Sequence, residues 1–173
     1  MSKRTGQKRA RLYLREYPLL LRRIRALAKL VQEQDSNVAS LVLFGSAARL
    51  EPHAFSDADL LALLHEQRWL ENGAGRSRFV RLFGDAQIPP DDEWASWTFS
   101  GMLGNAQASD LDEDFLANVA HDGVLLYQQE GTPLPPTLAD LQPFSVWLER
   151  VNALLAECAQ VVGSKAAPAQ ATA

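Results

Sequence analysis

SLVLFGSAARLEPHAFSDADLLALL, residues 40–64, contains one apolar run that ends in Gly45-Ser46 and a second that begins around Asp57 and Asp59. Residues i and i+2 of a strand point to the same face, so the two carboxylates are expected to project together. Adjacent carboxylates repel each other, and at the rim of a buried strand they need a divalent cation, an arginine or solvent to compensate them. Magnesium prefers oxygen ligands and often combines one or two carboxylates with substrate phosphates. The stretch therefore predicts a nucleotide-binding turn that faces a metal-binding carboxylate pair.

Length and composition indicate one folded domain. The chain has 173 residues, 47% of them apolar, and a single cysteine, Cys158, which excludes an internal disulfide framework and fits a reducing compartment. Cys158 falls on the apolar face of a predicted helix, so we expect a packed thiol rather than a reactive one. No apolar run approaches the roughly 20 residues that span a bilayer, and we expect a cytoplasmic protein without a membrane segment.

Charge is distributed unevenly along the chain. Residues 1–30 contain ten Lys or Arg against one acid, Glu16, although the whole chain has a net charge of -4. Such a basic helix could attract nucleic acid or an acidic partner, or it could be a solvated face that offsets the acidic remainder. Between Lys3 and Arg15 only Tyr13 is aromatic, which makes nucleic-acid binding the less favoured of these interpretations.

Hydrophobic periodicity predicts alternating helices and strands. We expect Pro18 to split a helical region over residues 9–34 into two helices or to begin the second one, with residues 1–8 frayed. Leu141, Phe144, Leu148, Val151, Leu155 and Cys158 form the stripe of a long C-terminal helix. The remaining predicted elements are strands at 38–44, 58–64, 93–99 and 123–127, a short helix after Gly45-Ser46, and helical regions at 66–85 and from Asp110 or Asp112 to His121.

The motif resembles that of the nucleotidyltransferase superfamily of DNA polymerase beta, and more closely that of its MNT-type minimal members. Gly45-Ser46, about ten residues and then Asp57 and Asp59 match the family pattern, and residues 115–127 resemble its closing helix and final strand. The resemblance implies an α+β fold, with a small mixed sheet flanked by helices, an N-terminal helix and a C-terminal amphipathic helix. The expected divisions are a basic extension at 1–17, the nucleotidyltransferase domain at 18–130, the C-terminal helix at 137–163 and a disordered tail at 164–173.

The resemblance also implies which residues hold metal. Asp57 and Asp59 would bind magnesium together with a third carboxylate from a later strand, which is Glu93 or, in the alternate register, Asp92. Two magnesium ions are expected in such a site, where they flank the attacking and leaving oxygens of an in-line displacement.

Nucleotide contacts are implied on the other side of the motif. Gly45 would let the backbone approach the phosphates, Ser46 would donate hydrogen bonds to them, and Arg49 would neutralise charge on pyrophosphate. An ion pair of Arg49 with Glu51 or Asp57 is the alternative. Two positions depart from the family pattern, because Ala47 stands where many relatives have a basic residue and Leu50 stands where they have glycine.

The implied activity is magnesium-dependent transfer of a nucleoside monophosphate, AMP from ATP, to a hydroxyl. A tyrosine of a HEPN-type toxin is the leading acceptor, which would make the protein an antitoxin, and a small molecule or RNA is an alternative acceptor. A different class of function also stays open: a weakly active or inactive module that binds nucleotide or partner. The terminal helices could dock a partner protein or a second copy of the chain, or the C-terminal helix could fold back on the N-terminal one.

Overall fold

Five strands form a mixed sheet in the order β3-β2-β1-β4-β5. The computed structural model describes residues 3–34, 37–51, 57–65 and 99–163. The strands are β1 Val38–Phe44, β2 Ala58–Leu64, β3 Phe99–Asn105, β4 Val124–Gln128 and β5 Gln142–Pro143. β1 is antiparallel to both β2 and β4, β2 is parallel to β3, and β4 is parallel to β5. The mixed sheet and its flanking helices confirm the predicted α+β architecture.

The helices cover both faces of this sheet. They are α1 Lys3–Gln34, α2 Gly45–Ala48, α3 Glu113–Asp122 and α4 Phe144–Val162, with a 3-10 turn at Pro136–Leu138. One buried cluster joins α1 and α4 to one face of the sheet, and a second joins α3 and the 3-10 turn to the opposite face. β1 and β2 lie between the two clusters and are almost entirely buried, which explains why both were visible in the sequence as continuous apolar runs.

α1 is one uninterrupted helix of 32 residues with Pro18 inside it. The predicted break at Pro18 is therefore wrong, and so are the predicted start near residue 9 and the frayed N-terminus. An interior proline costs a helix about 3 kcal/mol because it removes a hydrogen bond and crowds the preceding turn. Side chains before and after Pro18 are buried in the same cluster, among them Tyr13, Tyr17, Leu20 and Ile24. This shared packing compensates for the cost of Pro18 inside the helix.

α4 begins at Phe144, later than the predicted start at 137. The 3-10 turn and β5 occupy the intervening residues, and Leu141 packs into the cluster on the other face of the sheet instead of joining the predicted stripe. Trp147, which the stripe omitted, is fully buried against α1. The C-terminal helix thus folds back on the N-terminal one, and Cys158 is buried as predicted.

β3 was not predicted, because its sequence FSGMLGN contains two glycines and no β-branched residue. Pairing with β2 along its whole length determines this strand. α3 and β4 agree with the predicted helix and strand to within a few residues. The helical region at 66–85, most of the strand at 93–99 and the tail at 164–173 lie outside the described residues. Within the described part of the chain, no helix combines the length and apolarity needed to cross a membrane.

Candidate functional site

The two halves of the sequence motif meet at one edge of the sheet. β1 ends at Phe44, which pairs with Asp59 near the start of the antiparallel β2. Gly45 and Ser46 follow β1 immediately as the first residues of α2, and Asp57 directly precedes β2. The antiparallel register therefore brings the turn and the carboxylate pair together although ten residues separate Ser46 from Asp57 in the sequence.

Gly45 is in contact with the carboxylate of Asp59. A Cβ atom at position 45 would overlap the Oδ2 atom of Asp59 and would lie 3.3 Å from its Cγ. Gly45 also has a φ of +72°, a conformation that L-residues with side chains seldom adopt. Both the close approach and the backbone conformation therefore require glycine at this position.

Three aromatic side chains hold the C-terminal end of the short helix α2. The indole Nε1 of Trp147 donates to the Ala48 carbonyl at 2.9 Å. The hydroxyl of Tyr17 donates to the Ala47 carbonyl at 3.4 Å. The hydroxyl of Tyr13 donates to the Leu50 carbonyl, just beyond the helix, at 3.1 Å. The last carbonyls of a helix have no partner within the helix and need one elsewhere. The terminal helices α1 and α4 supply these donors, and so they position the turn that begins at Gly45.

The two departures from the family pattern have visible structural settings. Ala47 is fully buried against the terminal helices, so its side chain does not face the sheet edge where Gly45 meets Asp59. Leu50 has a φ of 63°, in the left-handed region that glycine adopts without strain. Leu50 is also packed against the core around α1, which compensates for this conformation.

Asp57 and Asp59 differ in their surroundings. Asp57 is exposed, whereas Asp59, the second residue of β2, is half-buried. Burial raises the pKa of the Asp59 carboxyl, the negative charges of Asp57 and Asp122 raise it further, and the positive charge of Arg49 opposes them. The surroundings of Asp59 therefore favour its ionised form less than water does, and a bound cation would oppose this effect.

Arg49 forms ion pairs with Asp122 and Glu51. Its Nη1 atom donates to the Oδ2 atom of Asp122, and its Nε atom lies 3.4 Å from Oε2 of Glu51. The pairing with Glu51 confirms one of the two predicted partners. Asp122 was not predicted, since it is the last residue of α3 and only the packing of α3 beside α2 brings it to Arg49. The sequence carries no local signal for this contact.

A cavity of about 410 Å³ is lined by Arg49 and Asp122, among other residues. Arg150 donates from Nη1 to Oε1 of Gln142 at 3.0 Å in its wall, where Asp140 and His121 also lie. The ion pair of Arg49 with Asp122 thus forms part of the cavity wall.

Among the described residues, the available donor atoms suit magnesium. Asp57 and Asp59 supply hard carboxylate oxygens, and after burial the charge of Asp57 is the next cause that raises the pKa of Asp59. Within residues 3–34, 37–51, 57–65 and 99–163, no three or more His, Cys, Asp or Glu side chains are grouped so as to hold a metal ion. A third carboxylate would have to come from elsewhere, and both predicted candidates, Glu93 and Asp92, lie outside the described residues.

Comparison with known proteins identifies this arrangement. Residues 24–99 match the family model of the nucleotidyltransferase domain. Over these residues, which make up a little under half of the chain, the protein is similar to nucleotidyltransferase domains. All six predicted site residues lie within the matched range: Gly45, Ser46, Arg49, Asp57, Asp59 and Glu93. The match thus confirms the family resemblance seen in the sequence.

Solved structures are also similar to the chain. One of them, a crystal structure of a toxin-antitoxin with AMP-PNP, matches this chain with a TM-score of 0.41 and 14% sequence identity. The similarity covers 81% of this chain and 86% of that one. No curated protein matches the chain.

Proposed function

We propose that the protein transfers AMP from ATP to a hydroxyl group in a magnesium-dependent reaction. The observation that carries this proposal is the contact of Gly45 with the Asp59 carboxylate at the edge where β1 ends and β2 begins. It places a glycine turn, which leaves room for phosphates, against a carboxylate that favours a cation. Both features lie within a nucleotidyltransferase domain.

Asp57 and Asp59 are the proposed magnesium ligands, and Glu93 or Asp92 is the proposed third carboxylate. Magnesium, in one or two ions, supplies charge neutralisation and polarisation of the phosphoryl oxygens when bound. Asp59 contributes an acceptor oxygen, and a nearby cation would favour its ionised form. Asp57 contributes a second oxygen from the exposed side of the pair, where a nucleotide can approach.

Gly45, Ser46 and Arg49 are the proposed nucleotide contacts. The missing side chain at Gly45 lets the backbone approach the triphosphate, and the Ser46 hydroxyl lies at the start of α2, where it can donate to phosphate oxygens. Arg49 can contribute its charge to the phosphates when it exchanges one of its two carboxylate partners for them. Phosphate binding and the Asp122 contact therefore compete for the same guanidinium.

A tyrosine of a HEPN-type toxin is the acceptor that we propose, which gives the protein an antitoxin role. This acceptor rests on the likeness of the Gly45-Ser46 and Asp57-x-Asp59 motif to the MNT-type minimal nucleotidyltransferases. An acceptor carried by a protein must reach the reacting phosphate from solvent, and exposed Asp57 marks an open approach. Small molecules and RNA are the acceptors to compare with it.

Burial of Ala47 favours a second candidate, a module that binds nucleotide without turnover. A basic residue at that position is common in relatives, and here the position is in the core. Arg49 is therefore the cation that we propose for phosphate binding, and its guanidinium is already paired with Asp122. Such a site could retain affinity for nucleotide while the rate of transfer is low.

A label-transfer assay separates the two candidates. The purified protein is incubated with magnesium and ATP labelled on the α-phosphate, with a HEPN-type toxin, RNA or no acceptor added. We expect label on the toxin with wild-type protein and none with Asp57→Ala or Asp59→Ala. Comparison of Glu93→Gln with Asp92→Asn identifies the third carboxylate, because only the true ligand should be required. Nucleotide binding without label on any acceptor would contradict transfer and support the binding module.

A further inference from the structure

The cavity that Arg49 and Asp122 line contains other side chains to which the proposed chemistry assigns no role. It has a volume of about 410 Å³ and is lined by residues from the C-terminal ends of α2 and α3, from β5 and from α4. Ligand sites in proteins have volumes of about 300–1,000 Å³, so this cavity is large enough to hold part of a bound molecule. Three of its charged or titratable side chains are exposed to solvent, and they are His121, Asp140 and Arg150. The cavity is therefore open at the surface.

Arg150 is a cation of this cavity that has no acidic partner among the described residues, whereas Arg49 is paired with Asp122 and Glu51. The Nη1 atom of Arg150 donates to Oε1 of Gln142 at 3.0 Å, and this contact orients the guanidinium. Arginine carries five N–H donors in a rigid plane, so donors of Arg150 are left for a ligand. Two parallel hydrogen bonds to a carboxylate or a phosphate match this plane. Arg150 is thus prepared to bind an oxyanion.

Asp140 supplies the opposite charge in the same cavity. Its carboxylate forms no ion pair or hydrogen bond with the described residues. Asp122 and Glu51 also line the cavity, so its wall contains three acids and two arginines. This balance makes the cavity unfavourable for a polyanion such as RNA. A ligand that brings a negative group to Arg150 and a positive group to Asp140 matches the wall better.

We propose that the cavity docks a segment of the acceptor protein, with an acidic side chain on Arg150 and a basic side chain on Asp140. This inference rests on the proposed function, because it takes the acceptor to be a protein. Sites for small molecules bury most of the ligand surface, whereas Arg150 and Asp140 are exposed, which suits side chains that project from another protein. Arginine is also one of the residues that most often dominate the binding energy of protein interfaces. Complementary charges of this kind select the partner and fix its register.

The cavity lies close to the proposed nucleotide contacts. Ala48, in its wall, follows Gly45 by three residues in α2, which is about 4.5 Å along a helix axis. Arg49, a proposed phosphate contact, also lies in the wall. The bond from Trp147 to the Ala48 carbonyl ties α4, which carries Arg150, to α2. An acceptor docked on Arg150 would therefore be held beside the turn that we propose binds the triphosphate.

Calorimetric titration of the full-length protein with the HEPN-type toxin, in the absence of nucleotide, measures docking directly. Arg150→Gln should raise the Kd for the toxin about tenfold, because it removes an arginine anchor, and Asp140→Asn should raise it about threefold. Titration with ATP and magnesium is the second measurement. Both variants should keep the wild-type Kd for ATP, since neither residue is a proposed nucleotide contact.

Arg11→Gln and Glu149→Gln are the matched controls. They make the same changes of charge at exposed positions that do not line the cavity, with Arg11 on α1 and Glu149 next to Arg150 on α4. Both controls should keep the wild-type Kd for the toxin. Thermal unfolding checks that all four variants are folded.

The possible results separate the docking site from the proposed reaction. Toxin binding that depends on Arg150 and Asp140 supports the docking site even if no label is transferred, a result that would contradict the reaction alone. An unchanged Kd for the toxin in either cavity variant, equal losses in the controls, or no toxin binding by the wild-type protein would overturn the docking site. A weaker affinity for ATP in Arg150→Gln would overturn it too, because Arg150 would then hold the nucleotide. So would binding of RNA that is lost in Arg150→Gln.

Discussion

Asp59 is the residue on which the proposed chemistry depends most. Burial and the charge of Asp57 raise its pKa, so the folded protein holds the proton of this carboxyl more tightly than the unfolded chain does. Stability contributed by Asp59 is then greatest at pH values below the ordinary aspartate pKa of about 3.9, and it declines as the pH rises through the raised value. At neutral pH the ionised carboxylate therefore destabilises the ligand-free fold, and bound magnesium is expected to offset this effect.

Replacement of Asp59 by Asn should raise stability while it removes activity. Asp59 is only half-buried and solvent screens its interactions, so the increase in melting temperature should be small, about 1–2 °C for a chain of this size. We expect such an increase for the ligand-free variant at pH 7, together with loss of stabilisation by magnesium and ATP. Glu130→Gln, an exposed acid outside the site, is the control and should leave the melting temperature unchanged. A lower melting temperature for Asp59→Asn would mean that the carboxylate is stabilising in the free protein.

Asp122 is the second residue with a testable electrostatic role. It pairs with Arg49 and also raises the pKa of Asp59, so both of its effects oppose an incoming phosphate and its cation. Asp122→Asn should tighten ATP binding by about fivefold, equivalent to about 1 kcal/mol, when affinity is measured by calorimetry with magnesium present. Glu51→Gln is the comparison, with a smaller effect expected because its contact with Arg49 is longer and more exposed. Weaker binding by Asp122→Asn would instead make Asp122 a support that orients Arg49.

At the scale of elements, α2 depends on helices that are distant in sequence. A four-residue helix cannot be stable alone, since helix nucleation costs more than so few hydrogen bonds return. The donors from α1 and α4 fix its C-terminal end and thereby the position of Gly45. The terminal helices are thus part of the support of the site, although neither supplies a proposed ligand.

Trp147→Phe tests this support. The substitution removes the donor to the Ala48 carbonyl and leaves that buried group without its partner, which should cost about 1–3 kcal/mol in the free energy of unfolding. Denaturant titration measures the loss, and ATP affinity should fall with it because α2 is less well fixed. Tyr127→Phe, which also removes one polar group from a ring packed on the same cluster, should change the free energy by less than about 0.5 kcal/mol. Equal effects of the two substitutions would show that the hydrogen bond to Ala48 is unimportant.

The elements that the sequence predicted correctly are those whose own residues are apolar enough to indicate burial. The strands β1 and β2 were predicted with their observed bounds because their apolar runs are continuous and are bounded by polar residues. The glycine-rich β3 and the uninterrupted passage of α1 through Pro18 were not predicted, because partner elements outweigh weak local preference there. Trp147 was omitted from the predicted stripe for a related reason: its partner, the Ala48 carbonyl, is far away in sequence.

At the scale of the whole molecule, the nucleotidyltransferase match covers residues 24–99 while the structural support extends beyond it. Three elements that follow the matched range support the site. α3 supplies Asp122, β4 pairs with β1 as its second neighbour, and α4 supplies Trp147. The motif predicted that the turn at Gly45 faces the carboxylate pair, and the antiparallel pairing of β1 with β2 brings Gly45 and Asp59 together. The motif could not locate Asp122, whose position depends on how α3 packs across the sheet. The roles of Glu93 and Asp92 stay predictions.

The central claim is that the site transfers a nucleoside monophosphate, and the most direct measurement follows each phosphate of ATP separately. Parallel reactions contain ATP labelled on either the α-phosphate or the γ-phosphate, together with magnesium and the toxin acceptor. Nucleotidyl transfer predicts α-label bound to the acceptor and γ-label released as pyrophosphate, with neither product formed by Asp57→Ala or Asp59→Ala. Label from the γ-phosphate on the acceptor, or transfer that persists in both variants, would contradict it.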